Sequence, residues 1–217
     1  MSIAFKFGIP AAAGTGMAGL GGYYFLSTGD TIGSSLKSSI ESHKKILFLK
    51  GDKEWTEWKE VYGAATSGQI DKVTKEGLAE WCEATLKLSS KDKKNYDLAS
   101  KWCVVNTRTV KEELRLGGTT LLEVQPSDAK WQNAWNHHNT KKDQNTSLSI
   151  GDSKIIGSGI NAASGATSFH EWCTTRYSWN MYKLGASSDL EKVKMWCSSG
   201  AGDFISTVAP SVPTGTG

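Results

Sequence analysis

Every cysteine in this chain follows a tryptophan: Trp81-Cys82, Trp102-Cys103, Trp172-Cys173 and Trp196-Cys197. The pairs form two couples with similar internal spacing, 21 residues in the first and 24 in the second. Spacing repeated in this way marks one module written twice, and it fixes the organisation of the chain before any element is assigned. It also restricts the packing, because a tryptophan beside each cysteine places a large apolar side chain next to each thiol.

The totals leave room for two small modules. The chain has 217 residues, 38% of them hydrophobic and 22% charged, so a packed core is expected rather than wholesale disorder. The formal charge is +3 and the charges are mixed along the chain. No basic block is long enough to neutralise a run of phosphates, so nucleic acid is not an expected partner.

The N-terminus is the apolar exception. No charge occurs from Phe7 to Leu26, a stretch that spans about 30 Å as a helix, the thickness of a bilayer's hydrocarbon core. Lys6 precedes it, and Tyr23, Tyr24 and Phe25 stand at its far end, where an aromatic belt belongs. Gly14, Ala18 and Gly22 are spaced by four and permit close pairing with another helix in the membrane. A cleaved signal and a buried soluble helix are the alternatives. No small-x-small site closes the apolar run cleanly, so an uncleaved anchor over residues 1–28 is the expectation. The same stretch holds Gly14-Thr15-Gly16-Met17-Ala18-Gly19, a literal G-x-G-x-x-G. Pro10 interrupts the strand that a dinucleotide fingerprint needs, and no alternation of strands and helices follows.

Past the anchor, residues 29–51 are rich in Ser and Gly and read as a linker. Ile32, Leu36, Ile40 and Leu47 nonetheless keep a loose helical period there. A first helical module is expected over 52–118. Asp52 is its candidate N-cap, and Trp55, Trp58 and Tyr62 recur on one helix face. Trp81 and Trp102 lie on the next two helices. Thr109 to Glu112 forms a capping box, and Gly117-Gly118 stops the helix it starts. The second module, 119–205, carries Trp131 and Trp135, then Trp172 and Trp196. Its helix starts are expected at the capping boxes Ser168-x-x-Glu171 and Ser188-x-x-Glu191. A polar insert over 142–167 reads as a mobile loop, at most with a short strand at Lys154 to Ile156. The tail, 206–217, is too polar to bury a core.

Two antiparallel hairpins would bring Cys82 beside Cys103 and Cys173 beside Cys197. Four cysteines allow three connectivities, of which this one fits the hairpins, and four reduced cysteines filling core are the alternative. His170 and Cys173 stand three apart on a helix, a weak hint of a metal or thiolate pair. No C-x-x-C or H-E-x-x-H accompanies them, so no metal, cofactor or catalytic residue is expected. His137 and His138 read as an exposed helix end, placing cations near the negative pole of the helix dipole. Asn145-Thr146-Ser147 fits a glycosylation sequon, a pattern short enough to arise by chance.

The residues also resemble a known family. A Gly-rich N-terminal span, the Thr31 to Ser34 stretch, the Trp55, Trp58, Tyr62 helix and the Lys101 to Cys103 ending are similar to the large paralogous families of short, single-anchor proteins of haemotropic mycoplasmas. That resemblance implies a membrane protein of a wall-less, blood-cell-associated bacterium, displayed at the surface for host contact or antigenic diversity. It carries over no functional residue. The expectation is therefore a mainly α protein, with a transmembrane helix followed by two similar helical-hairpin modules. Its partners would be the lipid bilayer and a host-cell surface or another protein, its location the cell membrane with the C-terminal part extracellular, and its role non-enzymatic. The rival is a scaffold facing the cytoplasm with reduced cysteines. Lys37, Lys44 and Lys45 downstream of the anchor favour that rival.

Overall fold

Two threonines start the two halves of the molecule in the same way. The computed structural model describes residues 30–204. Thr31 accepts the backbone N–H of Ser34 at the start of α1 (Ile32–Ser39), and Thr109 accepts that of Glu112 at the start of α5 (Val110–Leu116). In both, the third residue bonds back to the threonine, which completes a capping box and satisfies donors that the helix start leaves open.

Each capped helix leads into a helical hairpin, although the elements around that hairpin differ between the halves. In the first half the elements are β1 (Lys44–Ile46), α2 (Trp55–Ala64), α3 (Leu78–Thr85), α4 (Lys93–Trp102) and β2 (Val104–Asn106). In the second they are α6 (Ala129–Lys141), α7 (Ser153–Ile156), α8 (Ala162–Tyr177), α9 (Ala186–Trp196) and α10 (Ser199–Gly202). The hydrogen bonds repeat too. The N–H of Ile32 donates to the Leu88 carbonyl, and that of Val110 to the Trp179 carbonyl, both at 2.8 Å. The N–H of Leu47 donates to the Cys103 carbonyl, and that of Leu122 to the Cys197 carbonyl, again both at 2.8 Å. β1 and β2 form an antiparallel ladder with Ile46 opposite Val104, and in the place of that ladder the second half has the single bridge of Leu121 with Ser198.

The described residues are mainly helical and form two hydrophobic cores, one per module. The first is built around Leu47, Trp55, Tyr62, Leu78, Cys82 and Trp102. The second is built around Leu122, Trp131, Phe169, Cys173, Val193 and Trp196. Trp172 is buried, while Trp58, Trp81 and Trp135 are partly buried against the two cores. α6 packs along α8, and Gly165 is what lets the two approach. A Cβ at Gly165 would fall 2.3 Å from the Trp135 ring.

Several expectations change. Val110 and Leu114 point into the second core, so α5 opens the second module and the boundary lies near Thr107 to Thr109 rather than after Gly118. Residues 30–51 are not a linker. Ile32 and Leu36 form the buried stripe of α1, and Leu47 is 1% exposed. Serine-rich composition hides this because a two-turn helix needs only one apolar stripe, and its remaining positions carry Gly, Ser and Lys.

The insert is likewise folded. Short 3-10 turns at Lys142–Gln144 and Thr146–Leu148 precede α7, which stands where a strand was expected, and α8 begins at Ala162. Ile150 and Ile155 are both buried in the second core. The extra chain lies between Ile150 and Phe169, where the first module runs directly from Ile70 to Leu78.

Helix starts also move. Asn161 caps α8, accepting the N–H groups of Ala163 and Ser164, so Ser168 and Glu171 are interior. α9 follows Gly185, whose φ of 89° suits glycine, so Ser188 and Glu191 are interior too. Asp52 does not cap α2. Its carboxylate accepts the Leu49 N–H and pairs with Lys45. The expected anchor over 1–28, the G-x-G-x-x-G and the tail 206–217 lie outside the described residues. Among the described residues, no helix is long and apolar enough to cross a membrane.

Candidate functional site

The four cysteines form two disulfides, Cys82–Cys103 and Cys173–Cys197, with Cα atoms 5.5 and 5.8 Å apart. All four residues are 0% exposed. Each bond ties the second helix of a hairpin to the first, α4 to α3 and α9 to α8. This is the pairing that the hairpin spacing favours. With Cys173 in a disulfide there is no thiolate for His170 to activate or for a metal to share. The His170 ring instead meets Trp131 edge-on at 4.9 Å. Among the described residues, no group of three or more His, Cys, Asp and Glu could hold a metal ion.

Around each disulfide the tryptophans act as hydrogen-bonded braces. Trp102 Nε1 donates to the Gly68 carbonyl, and Trp196 Nε1 donates to the Leu148 carbonyl, both at 2.7 Å. Two residues further on, the loop is held a second time. The N–H of Ile70 donates to the Tyr62 hydroxyl at 2.9 Å, and the N–H of Ile150 donates to His138 Nε2 at 3.0 Å. Tyr62 meets Trp102 edge-on at 4.8 Å, and His138 meets Trp196 edge-on at 5.0 Å. The indole and its perpendicular partner thus grip one loop in each module.

His138 is therefore no exposed cation. It is 0% exposed, it packs against Phe169, and burial pushes its pKa down to about 4. Burial also lowers His137, whose ring stacks on Phe204 at 4.6 Å. The period of α6 explains the error. His138 stands seven residues after Trp131, on the same face, so the fold takes it into the core.

The seam between modules is polar at its rim and aromatic inside. Beside it, within the second module, Thr109 bridges Asn180 as Thr31 bridges Ser89 in the first, and the N–H of Met181 donates to the Arg108 carbonyl at 2.9 Å. Tyr182, on the turn between α8 and α9, inserts into the first core, and Lys183 pairs with Glu57 at 2.9 Å. Behind that turn, the Arg176 guanidinium lies over the Trp172 and Trp179 rings and bonds the buried Asp189 at 3.2 Å.

A groove of about 440 Å³ lies on the second module, bordered among others by Lys111, Glu123, Trp131, Thr174 and Tyr177. Its charges answer one another. Glu123 bonds both Lys111 and Arg115. Burial alone would raise its pKa, but these bonds outweigh that and lower it. The Tyr177 hydroxyl donates to the Cys197 and Leu122 carbonyls, and burial pushes its pKa up. The groove offers aromatic surface and hydroxyls, and no nucleophile paired with a base lines it.

Sequence reasoning misread His138 as exposed and missed Tyr177, Phe169 and Tyr182. The signal for the first three was available in the helical period, since each falls on the buried face of its helix. Tyr182 carried no such signal, because it sits in a turn and its partners belong to the other module. Comparison with known protein families, curated proteins and solved structures returns no match for this chain.

Proposed function

We propose that this chain is a membrane-anchored, surface-exposed helical protein without enzymatic activity, serving host contact or antigenic variation. The observation that carries the reading is the pair of fully buried disulfides, one per module. Disulfides persist in oxidising surroundings and are rare where cellular reductants act. An apolar N-terminal stretch without charge, followed by a domain braced in this way, fits a single-pass anchor with its C-terminal part outside. The resemblance to single-anchor mycoplasma proteins points the same way. The bilayer is then one partner and a host-cell or protein surface the other, with Gly14, Ala18 and Gly22 as the face for pairing in the membrane.

A specific feature favours the second reading, a scaffold facing the cytoplasm. Lys37, Lys44 and Lys45 follow the apolar stretch, and positive charge is enriched on the cytoplasmic side. An impermeant protease applied to intact cells that make a C-terminally tagged chain separates the two. Loss of the tag before lysis supports surface display, and full protection until lysis supports the scaffold.

A further inference from the structure

We propose that His138 is an acid-released latch, which loosens the second module in acid while the first module stays closed. The comparison between modules carries this. Both hold the loop after their tryptophan helix through one N–H, that of Ile70 or Ile150, and through one indole bond two residues earlier. The first module offers that N–H a phenol oxygen, which gains no proton in acid. The second offers an imidazole nitrogen, and this nitrogen is the one a proton would take.

The chemistry follows from the bond. Nε2 accepts from Ile150, so the single proton of the neutral ring sits on Nδ1. Nδ1 is buried and has no hydrogen-bond partner among the described residues. Protonation at Nε2 would turn the acceptor into a donor facing the Ile150 N–H, and it would leave a cation fully buried. Both effects break the latch.

The surroundings give the charged ring little help. α8 and α9 present Phe169 and Trp196 to it, and neither titrates. On its own helix end, Lys142 and His137 oppose the charge, and only Asp143 favours it. Lys141 acts on His137 in the same opposing sense. Release would free the 3-10 turns and α7, and it would uncover Ile150, Phe169 and the Trp196 indole.

The test is amide exchange on the disulfide-bonded protein between pH 7 and 4, corrected for the intrinsic pH dependence of exchange. The expected result is a protection factor at Ile150 that falls about a hundredfold by pH 4, with Ile70 little changed. His138→Gln keeps an acceptor that does not titrate, and it should remove most of the fall at Ile150, leaving the smaller share that His137 contributes. Should that variant fold poorly, the ring of His138 can be titrated by NMR in the natural sequence, where a midpoint well below the usual imidazole range is expected. Parallel loss at Ile70 and Ile150 would overturn the proposal. So would a His138 midpoint in the ordinary range with Ile150 still protected.

Discussion

Tyr62 and His138 hold equivalent loops in the two modules, the phenol accepting the N–H of Ile70 and the imidazole that of Ile150. One fold thus solves one problem twice with different chemistry. The difference gives the second module a dependence on pH that the first lacks.

That dependence has a definite sign. The His138 pKa drops from 6.5 to about 4 on folding, so the unfolded chain binds its proton first as pH falls. The stability contributed by the neutral ring is complete above pH 6.5 and is lost progressively down to about pH 4. The linkage amounts to roughly 3 kcal/mol. His137, lowered by the same burial, adds in the same direction. Urea unfolding of the natural chain and of His138→Gln, each at pH 7 and pH 4, checks this. The gap between the two chains should shift by that amount in favour of the variant at the lower pH.

Gly165→Ala tests how tightly α6 and α8 meet. Alanine raises helix propensity by about 1 kcal/mol, which would stabilise an open site. Here the new Cβ falls 2.3 Å from the Trp135 ring, and that ring is held by its own bond to the Ile155 carbonyl at 2.9 Å. The clash wins, and a net loss of about 1–3 kcal/mol is expected. Gly151→Ala is the control, since nothing lies within 4 Å of its Cβ. Thermal unfolding of both variants reads the difference.

How far the sequence reaches is visible in these same residues. The Trp-Cys spacing predicts the duplication, both hairpins and the pairing of the cysteines, because those features are local and periodic. The Thr109 capping box is local as well, and it stands where expected. Boundaries fail where composition and burial part company. Ile32 and Leu36 lie in a serine-rich stretch, and Ile150 and Ile155 in a polar one, yet all four reach a core. A short helix or turn needs only one or two apolar contacts to be held, too few to shift a compositional average. The roles of Tyr182 and His138 depend on partners distant in sequence, and spacing along one element does not reveal them.

Tyr182→Ala should uncouple the modules. Its ring is 9% exposed within the first core, although it belongs to the second half of the chain. Removing it costs about 3 kcal/mol of packing at the seam. The expected outcome is a broadened or split unfolding transition by calorimetry. Lys183→Ala removes a partly exposed ion pair with Glu57 and a contact of the ammonium with the Trp179 ring, and should change stability by less than about 1 kcal/mol.

The disulfides should contribute more than any single polar contact. They close loops of 21 and 24 residues, for which loop-closure entropy suggests about 3 kcal/mol each. Replacing Cys173 and Cys197 together by alanine should weaken the second module by about that amount and leave amide protection around Trp102 largely in place. Denaturant melts with amide exchange measure both effects.

The account rests on cysteines that are oxidised where the protein works. The most direct measurement is peptide mass mapping, without reduction, of protein alkylated inside the cells that make it. The account predicts linked peptides joining Cys82 to Cys103 and Cys173 to Cys197, with no alkylated cysteine. Four alkylated cysteines in the freshly quenched protein would contradict it and leave the cytoplasm-facing scaffold in its place.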